Sequence, residues 1–217
     1  IWLLRQCEGR IGFGRALAAS LIAAFILWIQ RAPRPSKEQY ASIIIVGLCI
    51  SILFPVLVAY AMRFLPSSHG AIVIGLLPMT TAYCVSRMNH EQPSPAFWWA
   101  SALGGGTVVG YALMRSGGAV HPADILLLLT VVAGSLGYAH GAVLAKTMGG
   151  LRVMCWALVC MMPVLALVSV PQLLRINCSA VSFPVWAAFV YLTLISQLFG
   201  MGLWYKALSL GSVLRVS

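Results

Sequence analysis

Charged residues are scarce in this sequence of 217 residues, where they make up 8%, and only four of them are acidic. A water-soluble domain typically has about 25% charged residues, so too few remain here to cover a water-exposed surface. Hydrophobic residues make up 61%, and the mean hydropathy is +0.94. Because lipid offers no hydrogen-bond partners, backbone groups must pair within each span. We therefore predict an all-α fold, a polytopic transmembrane helix bundle.

Sequence motifs for several chemistries are also missing. The six cysteines form no CxxC pair, which argues against the common zinc and redox motifs. There is no Walker A motif for ATP and no HExxH motif for zinc-dependent hydrolysis. The four acids lie in loops or at the ends of apolar runs, away from the middle of any span; they are Glu8, Glu38, Glu91 and Asp124. We therefore predict no enzymatic activity, no cofactor and no metal site.

Basic residues exceed acidic ones, with 14 Lys and Arg and a formal net charge of +10. They separate the apolar runs and form no basic and aromatic patch, which argues against nucleic-acid binding. The spacing is typical of residues that anchor helix ends at a lipid bilayer and set the orientation of the chain. Eight of them fall on one side of the membrane and six on the other, and loop 31–39 contributes three of the eight. We predict that this loop faces the cytoplasm.

Seven apolar runs are long enough to cross a bilayer as helices, since each has about 17–23 residues. The connections between them are short and rich in Pro, Gly and Ser, which favour turns. No connection is long enough to separate soluble domains. The predicted spans are 11–30, 40–62, 70–86, 96–114, 125–146, 153–174 and 184–205.

An internal repeat is indicated by an offset of 145 residues. Tyr, Leu and Ser match between segments 60–67 and 205–212, and the same shift brings the first two spans onto the last two. The shift covers five helices, and an odd number places the two copies in opposite orientations. Inverted repeats of this kind recur in secondary transporters.

The offset also predicts the domain organisation. We expect a first repeat at 1–114 that lacks its first helix, and a second repeat at 115–217 that lacks its last two helices. On this interpretation the sequence holds helices two to eight of a ten-helix protein.

Three segments resemble the EamA-type drug/metabolite transporter superfamily. Segment 60–71 (Tyr-Ala-Met-Arg-Phe-Leu-Pro-Ser-Ser-His-Gly-Ala) resembles its helix end and tight turn, and 76–78 (Leu-Leu-Pro) its helix with a central proline. Segment 90–94 (His-Glu-Gln-Pro-Ser) resembles its glutamate–proline loop, with His90 where the family often has glycine. The resemblance implies a multi-pass carrier of the cell inner membrane with cytoplasmic termini. It also implies export of small metabolites, amino acids or drugs.

His140 is the only histidine well inside a predicted span. An ionisable residue within a membrane helix is a candidate for substrate or proton binding. The alternative is a neutral histidine that hydrogen-bonds a neighbouring helix. Pro78 is a second candidate, because a proline interrupts its helix and broken helices line transporter sites. A plain kink is the alternative interpretation of Pro78.

A polar and aromatic stripe is predicted on the last span. Thr193, Gln197, Gly200 and Trp204 recur at the spacing of one α-helical face. Such a stripe suits a substrate path, although hydrogen bonding between helices explains it equally well. We expect His140 and the Thr193, Gln197 and Trp204 side chains to point into one central cavity.

Two Gly-x-x-x-Gly motifs, at 106–110 and 137–141, predict close approach of helices. Packing is the favoured interpretation, and hinge motion is the alternative.

The leading functional hypothesis is a secondary transporter that works by alternating access between inverted halves. A non-transporting membrane scaffold or assembly subunit is the alternative. A membrane enzyme acting on lipid-linked substrates lacks support, because the spans contain no catalytic acids or metal ligands. The expected partners are a small-molecule substrate and the bilayer, and the sequence leaves a homodimer open.

Overall fold

A computed structural model describes residues 2–89, 94–115, 121–173 and 183–210. These residues are almost entirely helical and include no β-strand, which confirms the all-α prediction. The glutamate–proline loop at 90–93 and the repeat segment beyond residue 210 lie outside the described residues.

The described helices form seven rods that correspond to the seven predicted spans. Four rods are single α-helices, two contain a π-helical segment, and one is broken by a turn. In chain order the elements are α1 Trp2–Ile29, α2 Lys37–Val46, a first π segment Gly47–Leu53, α3 Phe54–Ala61, α4 Ser67–Ile74, α5 Leu77–Asn89, α6 Pro95–Arg115, α7 Ala123–Met148, α8 Gly150–Leu173, α9 Phe183–Tyr191, a second π segment Leu192–Gly200 and α10 Met201–Leu210.

Five of these rods are long and apolar enough to span a bilayer, as judged from the described residues. They are 37–61, 67–88, 123–148, 150–171 and 183–210. The part of α1 with described side chains, 14–29, is apolar but shorter. The rod formed by α6 is not among the five. The chain is therefore a multi-pass membrane helix bundle.

Local sequence explains where the second and third rods begin and break. Ser36 accepts a hydrogen bond from the Gln39 backbone, and the Gln39 side chain accepts one from the Ser36 backbone, so a capping box starts α2. In the third rod, Gly75 and Leu76 form a tight turn just before Pro78. Proline has no N–H to continue the helix, which accounts for the break.

The first π segment also precedes a proline. The Phe54 N–H donates to the Cys49 carbonyl five residues back, immediately before Pro55. A proline inside a helix commonly produces a plain kink, whereas here a wider helical turn precedes Pro55 over Gly47–Leu53. Such π bulges are frequent at functional sites.

The core lies between α1, α8, α2 and α7. The most extensive contact joins α1 to α8, where small side chains such as Ala19, Ala23 and Ala157 are fully buried. Small residues allow helix backbones to approach closely in a membrane. Helix α7 also packs against α3, α5 and α10, whereas the main described contact of α6 is with α4.

Polar contacts identify the two ends of the bundle. At one end, Gln39 Nε2 at the start of α2 donates to Thr147 Oγ1 at the end of α7, across 3.5 Å. We call it the basic end, because it carries loop 31–36 and the α7–α8 junction. At the opposite end, His69 at the start of α4 contacts Asp124 at the start of α7. Both contacts agree with helices that alternate in direction.

Candidate functional site

A cluster of hydroxyl groups lies beside the broken third rod. Thr80 Oγ1 donates to the carbonyl groups of Leu76 and Leu77, each across 3.1 Å, and it also contacts Ser135 Oγ at the middle of α7. The hydroxyl of the next residue, Thr81, is buried and has no hydrogen-bond partner among the described groups. We call Thr80, Thr81 and Ser135 the central hydroxyl cluster.

Two interrupted rods meet at this point on α7. A Cβ atom placed on Gly134 would lie 2.7 Å from Leu77 Cδ1 and 3.1 Å from Phe54 Cδ2. Leu77 and Phe54 flank the break before Pro78 and the end of the first π segment, respectively. Discontinuous helices near the bilayer midplane commonly form transporter substrate sites, because they free backbone groups for binding. Pro78 itself is exposed at this break.

Thr193 and Gln197 lie in the second π segment, and both are buried, with 3% and 8% of their surfaces exposed. This segment packs against α1 and α8. Thr193 Oγ1 donates to the Phe189 carbonyl of its own helix across 2.7 Å. The Gln197 amide has no hydrogen-bond partner within the described part of the chain, although it is not fully sealed from solvent.

The π segment changes which residues share the buried face. A π helix has more residues per turn than an α-helix, so the spacing that put Trp204 in line with Gln197 does not hold. Tyr205 is fully buried, whereas Trp204 is 41% exposed and Gly200 is exposed. The prediction of one face through Thr193, Gln197, Gly200 and Trp204 is therefore wrong in its last two positions. The Trp204 ring instead lies 6.0 Å from the Tyr138 ring of α7.

His140 faces a different neighbour. Its Nδ1 lies 3.2 Å from Ser42 Oγ on α2, so a hydrogen bond to an adjacent helix accounts for this residue inside the membrane. No described contact joins His140 to Gln197 or Trp204. The substrate-binding role of His140, Thr193, Gln197, Trp204 and Pro78 stays a prediction.

A pair of ionisable side chains at the opposite end was missed by sequence analysis. His69 Nε2 and Asp124 Oδ1 are 2.7 Å apart, and their side chains are only 10% and 18% exposed. The second Asp124 oxygen accepts the His121 backbone N–H at 2.9 Å. Asp124 lies at the end of a span, as predicted, but 55 residues separate it from His69 and no local pattern links the two. Within the described ranges, no three acidic, His or Cys side chains come together as metal ligands.

Comparisons with known proteins agree with this architecture. The family described as EamA-like transporter family matches residues 9–113. A curated protein of Bacillus subtilis (strain 168), the uncharacterized transporter YdeK, is 35% identical over 205 residues. The match covers 93% of this chain and 70% of that protein. No solved structure matches the chain.

Proposed function

Because the chain belongs to the EamA-like transporter family and is therefore a membrane transporter, we propose that it carries small molecules by alternating access. The proposed substrates are metabolites, amino acids or drugs, the proposed direction is export, and the proposed location is the inner membrane. The proposal of a substrate site within the bundle rests on Gln197, whose amide has no hydrogen-bond partner among the residues that the structure describes.

The Gln197 side chain is largely buried and its amide has no hydrogen-bond partner among the described groups, so water or a bound molecule must supply one. Gln197 lies in a π segment, and two helices, α1 and α8, pack against that segment. A polar substrate entering the bundle would hydrogen-bond the Gln197 amide. When the substrate leaves, water would take its place as the hydrogen-bond partner. The proposed site therefore centres on Gln197 and extends to Thr193.

The inverted-repeat mechanism is supported by the spacing of the interruptions. The two π segments begin at Gly47 and Leu192, which are 145 residues apart, the same offset that relates the sequence repeats. Their packing is similar in outline, because α1 packs against the second π segment more extensively than α8 does, and α8 packs against the first. This is the arrangement expected if α1 and α8 are equivalent helices of two inverted repeats. Each repeat would then contribute one interrupted rod to the transport path.

Alternating access requires contacts at the two ends that form and break in turn. Gln39–Thr147 at the basic end and His69–Asp124 at the opposite end each join α7 to a helix of the first proposed repeat. On this proposal, opening one end breaks its polar contact while the other contact persists. The central hydroxyl cluster lies between these ends on α5 and α7.

The test is transport in proteoliposomes, with a screen of small metabolites followed by a comparison of variants. Gln197→Met keeps the side-chain length and removes the amide, and Gln30→Met makes the same change at an exposed position. We expect Gln197→Met to lower transport about 5- to 30-fold, since one lost hydrogen bond to substrate is worth roughly 1–2 kcal/mol. Gln30→Met should transport normally. Normal transport by Gln197→Met would remove this residue from the site, and His140→Ala tests the other predicted residue in the same way.

Orientation is tested by labelling single cysteines in a background without native cysteines. Ser36 and Ser68 are exposed at opposite ends of the bundle. If the basic end is cytoplasmic, Ser36→Cys should resist an impermeant thiol reagent in intact cells and Ser68→Cys should react. The reverse labelling pattern would show that the orientation is inverted.

A further inference from the structure

A cavity of about 650 Å³ opens at the basic end of the bundle, between the end of α1 and α8. Two arginines, Arg31 and Arg34, and two tryptophans, Trp28 and Trp156, lie along its wall, and Leu27 contributes an apolar surface. None of the residues predicted to bind substrate lines this cavity. It therefore needs an explanation apart from transport.

Arg31 occupies a backbone position where glycine is usual. The Arg31 N–H donates to the Trp28 carbonyl and the Ala32 N–H to the Leu27 carbonyl, so α1 ends in a Schellman motif. In a Schellman motif the residue just past the helix adopts the left-handed conformation. Here that residue is Arg31, which has a φ of 43°. A residue with a Cβ atom is disfavoured there. The arginine is thus held at a strained position from which its side chain lines the cavity.

Arg34 is positioned by the two prolines that flank it. Pro33 fixes its own φ, and the residue before a proline is restricted to extended backbone, so the backbone of Arg34 has little freedom. Pro35 is buried, which pins this loop to the bundle. Rigid placement of a binding group lowers the entropy lost on binding.

Neither guanidinium is occupied by a residue that the structure describes. Across the described residues, no side chain or carbonyl accepts a hydrogen bond from Arg31 or Arg34. An arginine fork matches a phosphate group in geometry and charge. Two unoccupied arginines on one cavity wall therefore fit a phosphate.

The surface beside the cavity favours a lipid as the source of that phosphate. Leu21, Phe25 and Trp28 are exposed at α-helical spacing along α1, and the Phe25 and Trp28 rings lie 6.1 Å apart. This apolar strip runs from the cavity along the outside of α1. Tryptophan favours the depth of the lipid headgroups. We propose that the cavity binds the phosphate of an anionic phospholipid, with its acyl chains along the strip.

The test is native mass spectrometry of the purified protein with added phosphatidylglycerol, phosphatidylcholine or inorganic phosphate. Arg31→Gly removes the guanidinium while supplying the residue that the helix end prefers, and Arg34→Gln removes the second charge. The matched control is Arg87→Gln with Lys206→Gln, which removes two exposed positive charges from the same end outside the cavity. Each cavity arginine removed should weaken phosphatidylglycerol binding roughly fivefold.

We expect the double variant Arg31→Gly with Arg34→Gln to lose its affinity for phosphatidylglycerol and the control variant to keep it. Phosphatidylcholine should bind weakly, and equally, to the wild-type protein and to both variants. Equal loss in the control would mean diffuse attraction to the basic end and would overturn the site. Displacement of phosphatidylglycerol by an equal concentration of inorganic phosphate would show a free-anion site and overturn the lipid assignment. Equal binding of the two lipids to the wild-type protein would also refute the proposal.

Discussion

Helices α6 and α7 both carry a Gly-x-x-x-Gly motif, yet their surroundings differ. In α7, Cβ atoms on Gly137 and Gly141 would collide with Ile50 and the Tyr205 ring, respectively. In α6, Cβ atoms on Gly106 and Gly110 would meet no described atom within 4 Å. The motif therefore permits close approach in both helices, but only in α7 do the motif glycines lie against other described helices.

The difference follows from the position of each helix. Helix α7 lies at the centre of the described bundle and contacts α2, α3, α5, α8 and α10. Small residues such as its glycines let these neighbouring helices pack closely against it. Helix α6 packs mainly against α4, and its two motif glycines, Gly106 and Gly110, lie on the outside of the described bundle. Small residues stabilise a membrane helix only when a partner backbone or ring fills the space that they leave.

The sharpest test of this comparison is a pair of matched substitutions, Gly141→Ala and Gly110→Ala. The methyl group at 141 would overlap the fully buried Tyr205 ring, so we expect unfolding free energy to fall by about 1–3 kcal/mol. The same change at 110 meets open space and should be neutral or stabilising by up to about 1 kcal/mol, because alanine favours helix. The measurement is reversible unfolding in mixed micelles. Equal effects at the two positions would mean that the packing of the α7 motif is not as described.

A second test concerns the contact that ties the α4–α6 side of the bundle to α7. Removing one partner of the His69–Asp124 pair leaves a mostly buried polar group, so His69→Ala should cost about 1–2 kcal/mol. Amide exchange should rise in α4 and α6 and stay unchanged in α8, because α4 contacts both α6 and α7. Asp124→Ala completes a double-mutant cycle, which isolates the pair from the effect of Asp124 on the α7 N-terminus. Additive effects within about 0.3 kcal/mol would show that the contact contributes nothing.

The smallest expected effect compares neighbouring aromatic residues on α10. The Tyr205 hydroxyl donates to the Gly137 carbonyl across 3.3 Å, so Tyr205→Phe should cost about 0.5–1.5 kcal/mol of unfolding free energy. Trp204 is 41% exposed and has no comparable bond among the described groups, so Trp204→Phe should change stability by less than about 0.5 kcal/mol. A larger loss at 204 than at 205 would contradict the change of face caused by the second π segment.

Local features of the sequence determined the helical rods and the break at Pro78. Long apolar runs need helices in lipid, and a proline removes a backbone donor wherever it lies, so neither conclusion depends on distant residues. The resemblance to the EamA-type superfamily was also readable from short segments, because the turn and proline motifs are local. The comparisons confirm that assignment.

Only the tertiary structure decided which side chains meet. A single π segment moved Tyr205 to the buried face in place of Trp204, and α-helical periodicity cannot anticipate such a change of register. His69 and Asp124 pair across 55 residues, and Gln197 finds no partner in the described part of the chain, because packing of whole helices sets these distances. The two glycine motifs are alike in sequence, and the difference in their contacts comes from the neighbours that the fold supplies.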